Sequence, residues 1–292
     1  MAAREPEKAW VVGPGETRIA VVDAGEGDPV LLIPGLGYGA WSFTHQIDDL
    51  SSAAQVLAMD NRGTGRSDKP PGPYSIEQLA ADAQAVLEQR GATPATVVGT
   101  SMGGYVALTL ALRCPEAVSA LVLTATTCGG PGSFGVPETT LQAWADAAPL
   151  GPEGFARATM PLSLRPGWCE EHPEEFEELL SLRLSSPTPV EAWRAQFDAC
   201  ARFLDAGLAE GAVRQPTVIV HGTADRVVPY ENAAHLARRL PHASLVTMEG
   251  AGHLCWIERS REFNEIVLAS LRRRGGGDKV DDRLLPGPGG PP

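Results

Sequence analysis

Short runs of Val, Ile, Leu and Ala recur along the chain, and most are apolar at successive positions rather than at alternate ones. RIAVVDA (18–24), PVLLI (29–33), AQVLAM (54–59), ATVVG (95–99), ALVLTA (120–125), TVIVHG (217–222) and ASLVTM (243–248) are each long enough for a strand. Runs that are apolar on both faces suit the buried strands of a parallel sheet covered by helices. The first two lie so close together that they predict an antiparallel pair at one end of that sheet.

Between Asp60 and Ala95 the apolar spacing becomes helical. Tyr74 and Ser75 precede Ile76, and Gln78 completes a capping box, with Tyr74 placed to staple onto Leu79. Ile76, Leu79, Ala80, Ala83, Val86 and Leu87 then share one helix face, and Gly91 ends the run. Strand–helix–strand alternation of this kind predicts an α/β fold, a mostly parallel, doubly wound sheet.

The alternation stops after Ala125. From Thr126 to about Arg214 no strand-like run occurs. A Gly/Pro-rich entry (GGPGSFGVP) leads instead into helix-like pieces, of which WCEEHPEEFEELLSLRL and PVEAWRAQFDACARFLDAG are the clearest. The expected organisation is a core of residues 1–125 and 215–273, with a helical cap (126–214) inserted over the C-terminal edge of the sheet. The Gly/Pro-rich tail, 274–292, is expected to be disordered. The acidic run Glu170–Glu178 reads as the solvated face of a cap helix.

The formal net charge of -12 argues against nucleic acid or an anionic membrane as a partner, because both need basic patches. The start, MAAREPEKAW, is charged and lacks the apolar stretch of a signal peptide, and no apolar run approaches the ~20 residues of a membrane span. Cys114, Cys128, Cys169, Cys200 and Cys255 are scattered without CxxC or metal-ligand spacing. These features predict a cytoplasmic protein whose cysteines are small buried hydrophobes.

The candidate chemistry begins at Gly99-Thr100-Ser101-Met102-Gly103, a GxSxG pattern with a strand before it and a helix after it. A turn this sharp strains the serine backbone, and side chains at Gly99 and Gly103 would strike the neighbouring strand and helix. The result is a hydroxyl raised at the sheet edge where open α/β sheets bind ligands. Such a hydroxyl needs a base, and the base needs an orienting acid. The loop after TVIVHG offers Asp225, and the Gly-rich loop after ASLVTM offers His253. No carboxylate follows ALVLTA directly, and His221 lies inside strand-end sequence, so Ser101, Asp225 and His253 are the expected catalytic set. In LLIPGLGYGAW, Gly35 and Gly37 let the backbone turn its amides, so Leu36 and Met102 are the expected oxyanion donors. The segment Asp60–Asp68, DNRGTGRSD, reads as a loop held near the site by hydrogen bonds. Trp144, Trp168 and Trp193, with Trp41 and Trp256, are candidates to line an apolar cavity or to pack the core.

In order, PGLG, DNRGTGRSD, GTSMGG, HGTADRVVP and GAGHLCW resemble the α/β-hydrolase superfamily over about residues 18–273. DNRGTGRSDKPPGPYSIEQLAADAQAVL is similar to bacterial 3-oxoadipate enol-lactonases and neighbouring carboxylesterases. The superfamily usually has His-Gly at the oxyanion loop where this chain has Pro34-Gly35, a change in the pocket wall that leaves the backbone amides in place. The resemblance implies hydrolysis of a small-molecule ester or lactone through a Ser101 acyl-enzyme, with no metal or organic cofactor. It also implies loss of activity near about pH 6 as the general base is protonated. The same residues would serve a C–C bond hydrolase of ring-cleavage products, a cofactor-free perhydrolase or haloperoxidase, or a thioesterase. A ligand receptor on a hydrolase scaffold is the reading from another class.

Overall fold

The computed structural model describes residues 6–208 and 212–272. The tail 274–292, residue 273 and positions 209–211 of the expected cap lie outside the described residues. Eight strands form one sheet: β1 (Glu7–Gly13), β2 (Thr17–Ala24), β3 (Pro29–Ile33), β4 (Gln55–Met59), β5 (Ala95–Thr100), β6 (Val118–Thr124), β7 (Thr217–Gly222) and β8 (Ala243–Met248). Their order is β1-β2-β4-β3-β5-β6-β7-β8. From β4 onward all neighbours are parallel, while β2 is antiparallel to both β1 and β4.

This order corrects the expected pairing of the first two apolar runs. β2 does run antiparallel to its inner neighbour, but that neighbour is β4 rather than β3. β4 is buried over Val56–Met59, so it needs a covered place between two strands rather than an edge. The link from β2 to β3 crosses the entrance to β4 in close contact. Gly25 has φ +73°, and a Cβ there would lie 2.2 Å from the Ser51 carbonyl oxygen. At the edge, β1 alternates, with Ala9, Val11 and Gly13 buried and Trp10 and Val12 exposed. That half-polar pattern hid it among the apolar runs.

Helices cover both faces. Successive strand residues divide between two cores: Leu31, Ile33 and Val97 face one, and Val30, Leu32 and Val98 the other. The first core is closed by α2 (Ile76–Gln89), α3 (Met102–Arg113) and α9 (Glu231–Arg239) through Leu79, Val106 and Leu236. The second is closed by α1 (Thr44–Leu50) and α11 (Ser260–Arg272) through Ile47, Phe263 and Val267. The capping box of α2 forms as expected: the Gln78 amide donates to Ser75 Oγ at 3.2 Å, and the Ser75 amide donates to Gln78 Oε1 at 3.0 Å.

Between β6 and β7 run α4 (Glu138–Ala147), α5 (Gly151–Thr159), α6 (Trp168–Glu171), α7 (Pro173–Ser185) and α8 (Val190–Ala206). The stretch read as one piece, WCEEHPEEFEELLSLRL, is two helices because Pro173 starts a new one at its first turn. No helix among the described residues is long and apolar enough to cross a membrane. The last short helix, α10 (Cys255–Glu258), directly follows the loop that carries His253.

Candidate active site

The C-terminal ends of β3, β5, β7 and β8 share one edge of the sheet because the four strands are parallel to their neighbours. Ser101 follows β5 at once and has φ 53° and ψ -120°. For a residue with a side chain, such a backbone costs roughly 1–3 kcal/mol and persists only where its surroundings hold it. The Ser101 amide donates to the Thr124 carbonyl at 2.9 Å, and the Ser101 carbonyl accepts from the Gly104 amide at 2.9 Å and Thr126 Oγ1 at 2.8 Å. The flanking glycines behave as the sequence predicts. A Cβ on Gly99 would lie 2.4 Å from the Gly103 carbonyl oxygen, and one on Gly103 would lie 2.1 Å from that of Ile33.

Asp225, in the loop after β7, is buried and fully engaged. Its Oδ1 accepts the amides of Val227 and Val228, each at 2.8 Å. Its Oδ2 lies 2.8 Å from His253 Nδ1 and 3.2 Å from His221 Nε2. His221 Nε2 is also 2.9 Å from the Val228 carbonyl. Because a carbonyl only accepts, that nitrogen carries a proton. Burial pushes the Asp225 carboxyl up, but attraction to His253 and the hydrogen bonds of His221 and His253 outweigh it and hold it well below the ordinary carboxylate range. An ionised Asp225 fixes the His253 proton on Nδ1 and leaves Nε2 as an acceptor while the ring is neutral. His221, set aside in the sequence as a strand-end packing residue, thus touches the same carboxylate. It is His253 and not His221 that lines the cavity with Ser101.

The loop after β3 passes close to this point, where a Cβ on Gly35 would lie 3.1 Å from Ser101 Cβ. Leu36 and Met102, the expected oxyanion donors, both line the cavity. Neighbouring hydrogen bonds fix the loop: Asn61 Nδ2 donates to the Pro34 carbonyl at 3.0 Å, and the Gly37 amide donates to Gln196 Oε1 at 3.0 Å. The DNRGTGRSD loop is held as its polar composition suggests. Asp60 accepts from the amides of Ala40 at 2.7 Å and Arg66 at 2.9 Å, and buried Arg62 grips Asp82 of α2 at 2.6 and 2.7 Å.

Ser101 and His253 open onto a cavity of about 310 Å³ whose far wall comes from α4, α5, α7 and α8. Among the candidate tryptophans, Trp144, Trp193 and Trp256 line it. Trp168 is instead buried and stacks on His172 with centroids 4.9 Å apart. Trp41 stacks on Tyr38 at 5.1 Å. Thr159, Ser163, Arg183 and Cys200 break the apolar wall on the helical side. Arg183 lies over the Tyr38 ring, 5.1 Å from its centroid, and the Tyr38 hydroxyl is buried without a hydrogen-bond partner among the described residues. Cys200 also lines the cavity, but burial pushes its thiol up to about 12, so it is protonated at neutral pH. Among the described residues no three His, Cys, Asp or Glu side chains converge as a metal site would require.

The sequence profile of the α/β hydrolase fold family matches residues 28–260, spanning the elbow, both acid and base loops and the helices between. The chain belongs to the α/β hydrolase fold family. It is 31% identical over 255 residues, covering 84% of this chain and 91% of the relative, to a protein of Azorhizobium caulinodans named as carbamate hydrolase RutD. It is 30% identical to 2-hydroxymuconate semialdehyde hydrolase of Pseudomonas putida, covering 84% of this chain and 87% of that one. An enol-lactonase structure from Burkholderia xenovorans LB400 superposes with TM-score 0.79 at 25% identity, over 91% of this chain and all of that one (100%). A thermophilic esterase from Thermogutta terrifontis gives TM-score 0.79 at 27% identity, over 92% and 100%.

Two residues of this α/β hydrolase site carried no signal in the sequence. Gln196, completely buried on α8, accepts from the Gly37 amide and donates to the Arg62 carbonyl at 2.9 Å, so one amide group ties the loop beside Ser101 to the loop after β4. Arg226 sends its guanidinium to the carbonyls of Pro161 at 2.6 Å and Leu164 at 2.9 Å, fastening the helical segment beside Asp225. Both act across more than 60 residues of sequence, where no local pattern reaches.

Proposed function

We propose that this α/β hydrolase cleaves a carboxylic ester or lactone through an acyl-enzyme on Ser101, with a helical cap over the site. The observation that carries the reading is the 2.8 Å contact between His253 Nδ1 and Asp225 Oδ2 on the wall of the cavity that Ser101 also lines. His253 takes the Ser101 proton through Nε2 as the hydroxyl attacks the carbonyl carbon. Asp225 holds the imidazole in the required tautomer and stabilises the cation that forms. The amides of Leu36 and Met102 receive the developing oxyanion, each donor contributing roughly 3–4 kcal/mol to the barrier reduction, and the N-terminus of α3 adds its dipole. The C–O bond of the tetrahedral intermediate then breaks, and His253 returns the proton to the leaving alkoxide oxygen. The same base activates water, which releases the acid and restores Ser101.

Hydrolysis of p-nitrophenyl esters from acetate to octanoate by the wild type and Ser101→Ala tests the reading. Removal of the nucleophile is expected to cost about a million-fold in turnover. Equal rates in both proteins contradict it.

One observation favours a second reading, hydrolysis of a C–C bond in a ring-cleavage product that bears a carboxylate. Arg183 lines the cavity and forms no ion pair with another described residue, which leaves its charge available to an anionic substrate. Under this reading Arg183→Gln raises KM for a dienol carboxylate by about tenfold or more, on the scale of a lost charge-assisted hydrogen bond, and leaves KM for neutral esters in place. Unchanged KM for both substrates removes the reading.

A further inference from the structure

The helical segment holds a second cavity, of about 300 Å³, that the chemistry at Ser101 does not use. It lies across a wall formed by Leu141, Trp144, Phe155, Arg183, Trp193 and Phe197, which line both cavities. Trp193 sits at the centre of that wall. Its ring stacks on Phe197 with centroids 5.2 Å apart and meets Trp144 and Phe155 edge-on at 6.3 and 6.0 Å. It also abuts Gly37, where a Cβ would come within 2.8 Å of Trp193 Cδ1. The outer cavity reaches solvent, because Ala145, Ala148 and Val190 line it and are exposed, Val190 to 61%. Apart from Arg183, Arg194 and Thr188, its side chains are apolar or aromatic.

We propose that the outer cavity is a second substrate subsite that holds an apolar chain while the carbonyl of the same molecule sits at Ser101, with Trp193 as the partition that selects chain length. The proposal rests on the serine-hydrolase reading and narrows its substrates to esters or lactones with an extended apolar chain. An open chamber walled by tryptophan and phenylalanine keeps apolar surface in water, and an alkyl chain that fills it gains about fourfold in affinity for each methylene buried. The shared wall argues for one molecule across both chambers rather than a separate ligand. With six residues in common between the two linings, the occupant of one chamber presses on the wall of the other. A chain that outgrows the inner cavity of about 310 Å³ on the helical side meets the Trp193 partition next.

Two measurements on the full chain test this. The first is the ratio of kcat/KM for p-nitrophenyl decanoate to that for the acetate. Ala148→Trp places bulk in the outer chamber at an exposed position, where folding tolerates it, and is expected to lower the ratio at least tenfold. Trp193→Ala removes the partition and is expected to move the chain-length optimum upward. A loss shared equally by both esters, or no change in the ratio, overturns the proposal. The second is calorimetric binding of 1-decanol, a neutral probe that needs no catalysis. Binding to the wild type that weakens at least tenfold in Ala148→Trp supports the subsite, even if no ester is turned over and the serine-hydrolase reading itself fails. No binding to the wild type, or equal binding to both proteins, overturns it.

Discussion

At the scale of single residues, the Asp225 carboxylate does the most with the least room. It accepts two backbone amides on one oxygen and faces two imidazoles on the other, while buried from water. Every lone-pair direction is therefore occupied, which fixes the carboxylate plane and with it the His253 ring. Asp225→Asn preserves the shape but puts an amide where Nδ1–H needs an acceptor, so turnover is expected to fall about ten-thousand-fold with little change in KM. The carboxyl also links stability to pH. Its folded value lies below the unfolded one of about 3.9, so its stabilisation is complete above that pH and is lost as the pH falls toward the folded value. The wild type should therefore melt above Asp225→Asn at about pH 5, and that gap should narrow steadily as the pH falls below about 4, as followed by thermal melts across the range. A gap in Tm that stays constant with pH contradicts the assignment. Ser101, Asp225 and His253 could be picked out in the sequence because each lies in the turn or loop after a strand-like run, and parallel strands deliver their C-terminal loops to one edge. The contact of His221 with Asp225 was not legible, since a strand-end histidine looks the same whether or not a carboxylate lies beside it.

At the scale of elements, α2 shows how local and tertiary signals differ in worth. Its cap is written in four consecutive residues, and Ser75→Ala is expected to cost about 1 kcal/mol in denaturant unfolding. Its attachment to the loop after β4 is a buried Arg62–Asp82 pair, with side chains 5% and 0% exposed. Truncation of either partner strands a charge in the core, so Arg62→Ala or Asp82→Ala is expected to cost about 3–5 kcal/mol. A loss no larger than that of Ser75→Ala would show that the pair relaxes into water. The sequence suggested the loop's structural role through its polar residues and glycines, but the partner on α2 is 20 residues away and followed no pattern. The same limit explains β1 and β2. The half-exposed β1 lacks the apolar run that marks the inner strands, and only the burial needs of β4 place it between β2 and β3.

At the scale of the whole molecule, the helices between β6 and β7 share both hydrophobic cores with the sheet. Ala192, Ala195 and Ala199 of α8 enter one core, and Ala156, Trp168 and Leu180 from the other helices enter the second. Gln196 and Arg226 add hydrogen bonds across the junction. A segment held in this way is expected to unfold together with the sheet. Tryptophan fluorescence of a variant with Trp10, Trp41 and Trp256 replaced by phenylalanine, which leaves only the tryptophans between β6 and β7, and far-ultraviolet circular dichroism should give coincident denaturant transitions. An earlier fluorescence transition would make the segment an independent unit. The sequence marked this segment by its lack of strands, but the chambers inside it depend on how five helices cross, which composition does not determine.

Activation of Ser101 as a nucleophile by His253 underlies the proposed reaction. Its most direct test is reaction with a fluorophosphonate, followed by intact mass and peptide sequencing. One adduct per chain is expected, on Ser101, with far slower labelling in His253→Ala. No adduct, or an adduct on another residue with Ser101 unmodified, would contradict it.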